Sequence, residues 1–245
     1  MHGIEERAPR RNEEASPRQR VRVGIVGFGT VGRATADILL SHAGEISERT
    51  GGIEILVTRI CRRRLGTSEA ANEVPIVTDW RQVAGAEDVD IVVEAVGGTT
   101  TALDVVRGSL ENGKAVVTAN KALVALHGEA LFALAREKDL PIGIEATVAG
   151  GVPVIRAISE ALAADRIQAV YGIVNGTCNY ILTQMEQHGI EFAHALEQAQ
   201  AAGYAEADSS LDIDGLDARD KIAILARIAF GRGVRTAEIP VIGIR

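Results

Sequence analysis

A chain of 245 residues is long enough for one large domain or two modest ones. Hydrophobic residues make up 47% and charged residues 24%, as in ordinary globular proteins, and a net charge of −7 argues against general nucleic-acid binding. Cys61 and Cys178 are too few for a disulfide framework, and no secretory leader or bilayer-length apolar run is legible, so the expected compartment is the cytoplasm, with no membrane partner.

Residues 1–20 alternate Arg7, Arg10, Arg11, Arg18 and Arg20 with Glu5, Glu6, Glu13 and Glu14 around Pro9 and Pro17. Nothing there can pack a core, and a disordered tail is expected. A β-branched strand follows at 21–26, then a glycine turn and a helix over about 33–40. Further strands are expected at 53–60, 75–78, 91–96 and 115–118, with helices over 102–112 and 127–138. Strands alternating with helices predict a parallel sheet covered on both faces, an α/β domain over 21–147. The pattern then changes. A glycine-rich hinge at 148–152 leads to a helix over 153–163, a strand over 167–174 and helices over 178–188, 192–202 and 216–230. The second unit, 148–245, is expected to be α+β.

The glycine turn reads Gly27-Phe28-Gly29-Thr30-Val31-Gly32 between a strand and a helix. Gly27 permits a tight turn, Gly29 lets backbone approach a pyrophosphate, and Gly32 lets the helix pack closely on the strand. This context predicts a dinucleotide site rather than a merely structural turn. At the end of the next strand, where an NAD site usually carries a carboxylate, stand Arg59, Arg62, Arg63 and Arg64. Guanidinium groups suit a 2′-phosphate, so NADP preference through Arg62 or Arg63 is expected, with NAD as the alternative cofactor and a solvated basic loop as the alternative structure. Thr118-Ala119-Asn120-Lys121 ends a strand of the same sheet. Lys121 is therefore a candidate for an anionic group of cofactor or substrate, against the alternative of a surface lysine.

Glu145 precedes the irregular stretch Val148 to Val152, a pattern that can gather oxygen ligands for a cation, although spacing alone favours a plain hinge. Asn175-Gly176-Thr177 ends a strand and starts a helix. Thr177 is expected to cap it, and the neighbouring N–H groups either hold a substrate carboxylate or serve capping alone. Cys178 reads as a packing residue. Residues 203–221 hold six carboxylates and one lysine ahead of an apolar helix, with Asp217 and Lys221 spaced i, i+4 on one face. A solvated acidic loop is the alternative to a proton-handling site.

In this order, these motifs resemble homoserine dehydrogenase. The likeness runs from about Val21 to the end of the chain, through Gly-Phe-Gly-Thr-Val-Gly at 27–32, Thr-Ala-Asn-Lys at 118–121, Glu-Ala-x-Val-Ala-Gly-Gly at 145–151, Asn-Gly-Thr-x-Asn-Tyr-Ile-Leu at 175–182, Gly-Tyr-Ala-Glu-Ala-Asp at 203–208 and Asp-Gly-Leu-Asp-x-x-x-Lys at 214–221. The resemblance implies a Rossmann-type domain and a substrate and dimerisation domain. It also implies NAD(P)-dependent interconversion of L-homoserine and L-aspartate 4-semialdehyde, on the route to threonine, isoleucine and methionine. By the same resemblance, Lys221 would pass the proton, Lys121 would contact cofactor and substrate, and Glu206 and Asp217 would hold the amino acid. Gly203 would lie against the cofactor, and Phe28, Thr30 and Val31 would line the phosphate turn. A monovalent cation, sodium in the family, would sit on Glu145 and the carbonyls of Val148, Gly150 and Val152. A homodimer would form through the second domain.

Two departures are visible. Ser209 stands where the family has proline, which is expected to leave that loop more mobile. The family's chain also continues beyond Gly243-Ile244, so the expected molecule is a truncated relative whose last residues look like a strand without partners. A weakly active, nucleotide-binding relative, or one that pairs with a partner subunit, is the alternative function.

Overall fold

The computed structural model describes residues 19–63 and 74–245. The tail expected over 1–20 lies outside them apart from Gln19 and Arg20, and so does Arg64. The N-terminal half alternates β1 (Arg20–Val26), α1 (Thr30–Ser41), α2 (Ala43–Arg49), β2 (Glu54–Cys61), β3 (Ile76–Val77), α3 (Arg81–Ala84), β4 (Ile91–Glu94), α4 (Thr100–Glu111), β5 (Ala115–Thr118), α5 (Lys121–Glu137) and β6 (Ile142–Gly143). The strands form one six-stranded sheet in the order β3-β2-β1-β4-β5-β6, and every neighbouring pair is parallel. Their β-branched runs suit a sheet buried on both faces, as helices α1 to α5 make it. Ile25, Ile60, Val92, Leu110 and Leu123 are wholly buried, each contributing about 1.5–3 kcal/mol of apolar burial.

The chain leaves β1 in one direction to build β2 and β3 and returns to its other side for β4 to β6. The strand ends therefore part between β1 and β4, which opens a crevice at their carboxyl ends. Several elements differ from expectation. Helix α5 begins at Lys121, six residues before 127, because the Asn120 side chain accepts the Leu123 N–H at 3.1 Å and caps it there. Helices α2 and α3 and the short strand β6 have no distinct periodic signal, since each is held mainly by what it packs against.

Near the amino end of the sheet, Asp90 receives the backbone N–H of Arg22 at 2.8 Å and its guanidinium Nε and Nη2 at 3.0 and 2.6 Å. These hydrogen bonds draw the Asp90 carboxyl down to about 2. Its folded-state value lies below the unfolded one, so the pair stabilises above the unfolded carboxylate range and the contribution disappears as pH falls through about 2. Asp90 is 39% exposed, and solvent screening limits the effect. Asp90→Ala is expected to cost about 1 kcal/mol near neutral pH. Urea titrations of both proteins along a pH series check this, since the difference should close toward about pH 2.

The second half contains α6 (Val154–Arg156) continued by a π-helical turn, Ala157–Ala161, then α7 (Gly176–His188), α8 (Phe192–Ala201), α9 (Ser210–Ile213) and α10 (Leu216–Phe230). The stretch 167–174, expected as a strand, runs without a ladder, and so do the last residues, 239–245. Neither segment pairs with a strand among the described residues, and an unpaired strand has no ladder to hold it. Val170, Val174 and Ile239 instead lay side chains on the core that joins the halves, where Val124 and Ala125 of α5 meet Ala223, Ile224 and Leu225 of α10. Among the described residues, no helix is long and apolar enough to cross a membrane.

Candidate active-site cleft

A cleft of about 800 Å³ opens at the crevice. The sheet contributes Thr30 and Val31 after β1, Glu94 to Gly97 at the end of β4, and Ala119 to Ala122 after β5; the opposite wall includes Gly203, Tyr204, Glu206, Asp212 and Asp217. The packing of α10 on α5 sets two helix starts side by side, with Lys121 first in α5 and Asp217 second in α10.

The glycine turn has the shape a bound dinucleotide needs. Gly27 has φ +98°, and a Cβ there would collide with the carbonyl of Ala95. A Cβ on Gly32 would collide with the Gly27 carbonyl, so only glycine lets α1 approach β1 this closely. At Gly29, by contrast, a Cβ would meet nothing within 4 Å, so the turn is open there. No side chain caps α1, which leaves its first N–H groups free to face an anion. Phe28 is buried beneath the turn, and the Arg33 guanidinium lies 5.3 Å from its ring centre.

Opposite the turn, Asp217 is 9% exposed and joins the two halves. One carboxylate oxygen receives the Lys121 ammonium. The other receives Lys221 at 2.7 Å and the Asn175 amide at 2.9 Å. Burial pushes the Asp217 carboxyl up, but the hydrogen bonds from Lys121, Lys221 and Asn175 together outweigh it and hold it below the usual carboxylate range. An ammonium at a helix N-terminus opposes the helix dipole, whereas a carboxylate there is favoured. Asp217 on α10 therefore offsets the unfavourable position of Lys121 on α5. Lys221 stands behind Asp217 rather than on the cleft wall, and its ammonium also donates to the Val174 carbonyl at 2.6 Å.

Asn175, Gly176 and Thr177 also sit behind the wall. Asn175, not Thr177, caps α7: its side-chain oxygen accepts the Cys178 N–H at 2.8 Å, and its amide donates to Asp212 at 2.7 Å. Asn reaches the third N–H of the helix from the residue before it, whereas Thr177 already lies inside the first turn. The Thr177 hydroxyl instead donates to the Tyr204 carbonyl at 2.6 Å, and Tyr204 stacks on Tyr180 with ring centres 4.7 Å apart. These contacts tether the loop that carries Gly203 and Glu206. Cys178, whose thiol burial pushes up, donates to the Asp212 carbonyl at 3.1 Å and has no base beside it. Ser209 is buried where the acidic stretch enters α9.

Three cleft residues carry little signal in the sequence. Glu94 is wholly buried at the end of β4, and a carboxylate closing an apolar strand was its only cue. Asn120 caps α5, and Arg219 lines the cleft while paired to Asp220 at 2.8 Å. The remaining predicted residues lie elsewhere. Arg59 pairs with Asp88 at 2.8 Å. Arg62 follows β2, and two of its guanidinium nitrogens are buried without a hydrogen-bond partner among the described residues, which fits an anion arriving there. Arg63 is exposed beside it. Glu145 spans the hinge, its two oxygens accepting the N–H groups of Ile155 and Arg156, each at 3.0 Å. Ala149 is left-handed (φ 51°), and the Val152 carbonyl accepts the Val154 N–H at 2.8 Å. The carbonyls of Val148 and Gly150 have no backbone donor among the described residues.

Comparison with known proteins agrees with this geometry. The family model described as homoserine dehydrogenase, NAD binding domain, matches residues 27–145, and the one described as homoserine dehydrogenase matches 153–245. A homoserine dehydrogenase of Pseudomonas aeruginosa is 50% identical over 212 residues, covering 86% of this chain and 48% of its own length. The crystal structure of a homoserine dehydrogenase from Thiobacillus denitrificans superposes with a TM-score of 0.85 at 44% identity, covering 92% of this chain and 52% of that one. A hyperthermophilic archaeal homoserine dehydrogenase in complex with NADPH has a TM-score of 0.74 at 29% identity, covering 91% and 75%. The chain thus spans about half the length of the curated relatives it matches. A parallel sheet with a glycine turn at its crevice, a cleft closed by the Lys121–Asp217 contact, and family models over both halves lead to one conclusion: the chain belongs to the homoserine dehydrogenase family.

Proposed function

We propose that the protein interconverts L-homoserine and L-aspartate 4-semialdehyde with NADP, with NAD as the weaker cofactor, in the synthesis of threonine, isoleucine and methionine. The observation that carries this reading is the pair of lysines on either side of Asp217, next to a glycine turn built for a dinucleotide. When bound, the cofactor supplies or takes the hydride. The chain's own residues do the rest. Glu206 and Asp217 hold the substrate ammonium, Lys121 lies toward its carboxylate, and the helix start at Asn175 to Thr177 holds Asp217 and the Tyr204 loop in place from behind the wall. Lys221 passes the proton at the substrate oxygen and stabilises the charge that develops there. Gly203 and the residues of the glycine turn, including Phe28, Thr30 and Val31, pack the cofactor. Arg62 and Arg63 face its 2′-phosphate; the Arg62 nitrogens without a partner among the described residues and the NADPH bound by the archaeal relative support that choice.

We divide the chain into a nucleotide domain to Thr147 and a substrate domain from Val148. A monovalent cation fits on Glu145 with the carbonyls of Val148, Gly150 and Val152, because carboxylate and carbonyl oxygens each keep a second lone pair. The group would brace the hinge rather than enter the chemistry. Tyr171 and Ile242, each 92% exposed, and Ile173, 78% exposed, favour a homodimer through the second domain. Residence in the cytoplasm follows from the family reading. Purified chain given homoserine and each cofactor, with its mass measured in solution, tests these points. The expected result is turnover with the larger kcat/KM for NADP. Equal efficiencies would remove the role of Arg62 and Arg63, and nucleotide binding without turnover would leave a binding relative.

A further inference from the structure

We propose that Glu94, on which the dinucleotide motif places no demand, is a positioning residue that sets the loop after β4 and the Lys121 helix in register. The proposal rests on the reading of the cleft as a dinucleotide site. Glu94 is the last residue of β4 and is wholly buried. A carboxylate in such a place is costly unless its oxygens are satisfied, and no cationic side chain pairs with it among the described residues. It is satisfied instead by two donors, one from the loop that follows β4 and one from the end of the neighbouring strand β5. One oxygen accepts the Val96 N–H at 2.8 Å, and the other accepts the Thr118 hydroxyl at 2.5 Å. Thr118 in turn accepts the Asn120 N–H at 3.0 Å. Asn120 caps α5 and donates its amide to the Gly98 carbonyl at 2.6 Å.

The bonds close a ring: Glu94, Val96 through Gly98, Asn120, Thr118 and back to Glu94. The ring contains one wall of the cleft, and Lys121 follows directly from it. Gly97 and Gly98 both have positive φ, so the loop gains no rigidity from its own side chains and takes its shape from these bonds. An apolar residue would fill the end of β4 as well as Val92 fills its middle. What it could not do is accept an N–H and an O–H at once. Only an acceptor on both oxygens forces the Thr118 proton toward Glu94 and leaves a Thr118 lone pair for Asn120. Glutamine would present an NH₂ group to one of the two donors and break the polarity of the ring.

Glu94→Gln and Thr118→Val in the 245-residue chain test this. NADPH affinity is read by fluorescence titration, kcat and homoserine KM by steady-state kinetics, and folding by thermal melting. Each variant is expected to weaken NADPH binding about tenfold, of the order of one buried hydrogen bond lost from the cleft wall. Each should also raise the homoserine KM, because the ring sets the start of α5 that carries Lys121 toward the substrate carboxylate, and the double variant should be no worse than the weaker single one, because both open the same ring. Thr118→Val, close in shape, keeps the test decisive if Glu94→Gln does not fold. A folded variant of either kind with wild-type NADPH affinity overturns the proposal. Should the wild-type chain bind NADPH without oxidising homoserine, the affinity measurement still decides the role of Glu94 and only the assigned activity falls.

Discussion

Replacing Lys221 by alanine is expected to lower kcat by about 10²–10⁴, the range for loss of a positioned acid–base group, and to leave NADPH affinity unchanged. The fold should survive, because Asp217 keeps Lys121 and Asn175 as partners and no buried carboxylate is stranded. The affinity should survive because Lys221 lies behind Asp217, away from the glycine turn. To act, its ammonium must exchange the Val174 carbonyl for the substrate oxygen, which a flexible lysine stem permits. Steady-state kinetics beside a fluorescence titration separate the two quantities. Retention of most of kcat would take the proton-transfer role away from Lys221.

The second large effect is expected at Gly27. Gly27→Ala places a Cβ against the Ala95 carbonyl in a left-handed conformation, φ +98°. Strain and overpacking of this kind cost about 1–3 kcal/mol. The backbone cannot yield cheaply, because the Ala95 N–H is bonded to the Val26 carbonyl at 2.8 Å and Gly27 N–H to the Cys61 carbonyl at 3.0 Å. Relief has to come from the turn or from the loop after β4, both of which line the cleft. The variant is therefore expected to melt lower and to lose NADPH binding, a result that thermal melting with and without nucleotide would register. A protein that melts as wild type and binds NADPH normally would show that the turn is not a cofactor cradle.

The elements legible in the sequence were those with their own local cause. β1, β2, β4 and β5 were marked by β-branched runs, α4, α7, α8 and α10 by apolar periodicity closed by glycine or turn residues, and the cofactor turn by glycine spacing. The start of α5 was misplaced because its cue is a side-chain cap at Asn120, and Thr-Ala-Asn-Lys is equally plausible as a loop after a strand. The strands expected over 167–174 and at the chain's end failed for the opposite reason. Their β-branched composition is real, but a strand exists only with a partner, and the packing pairs neither segment with a strand among the described residues. Thr177 was a sound capping residue by type; its neighbour Asn175 held the better position.

The alternation of strand and helix, the glycine turn, and the carboxylate and lysine one turn apart at Asp217 and Lys221 are written in the chain, because each follows from residues that are near neighbours in it. The folded arrangement adds that Lys121 meets Asp217 across 96 residues, that Asn175 and Asp212 brace that contact, and that Glu94 ties the loop after β4 to the start of α5. Those relations depend on how α10 packs on α5 and on how β4 lies beside β5. Packing of that kind is set by burial summed over many side chains at once, which no local pattern records.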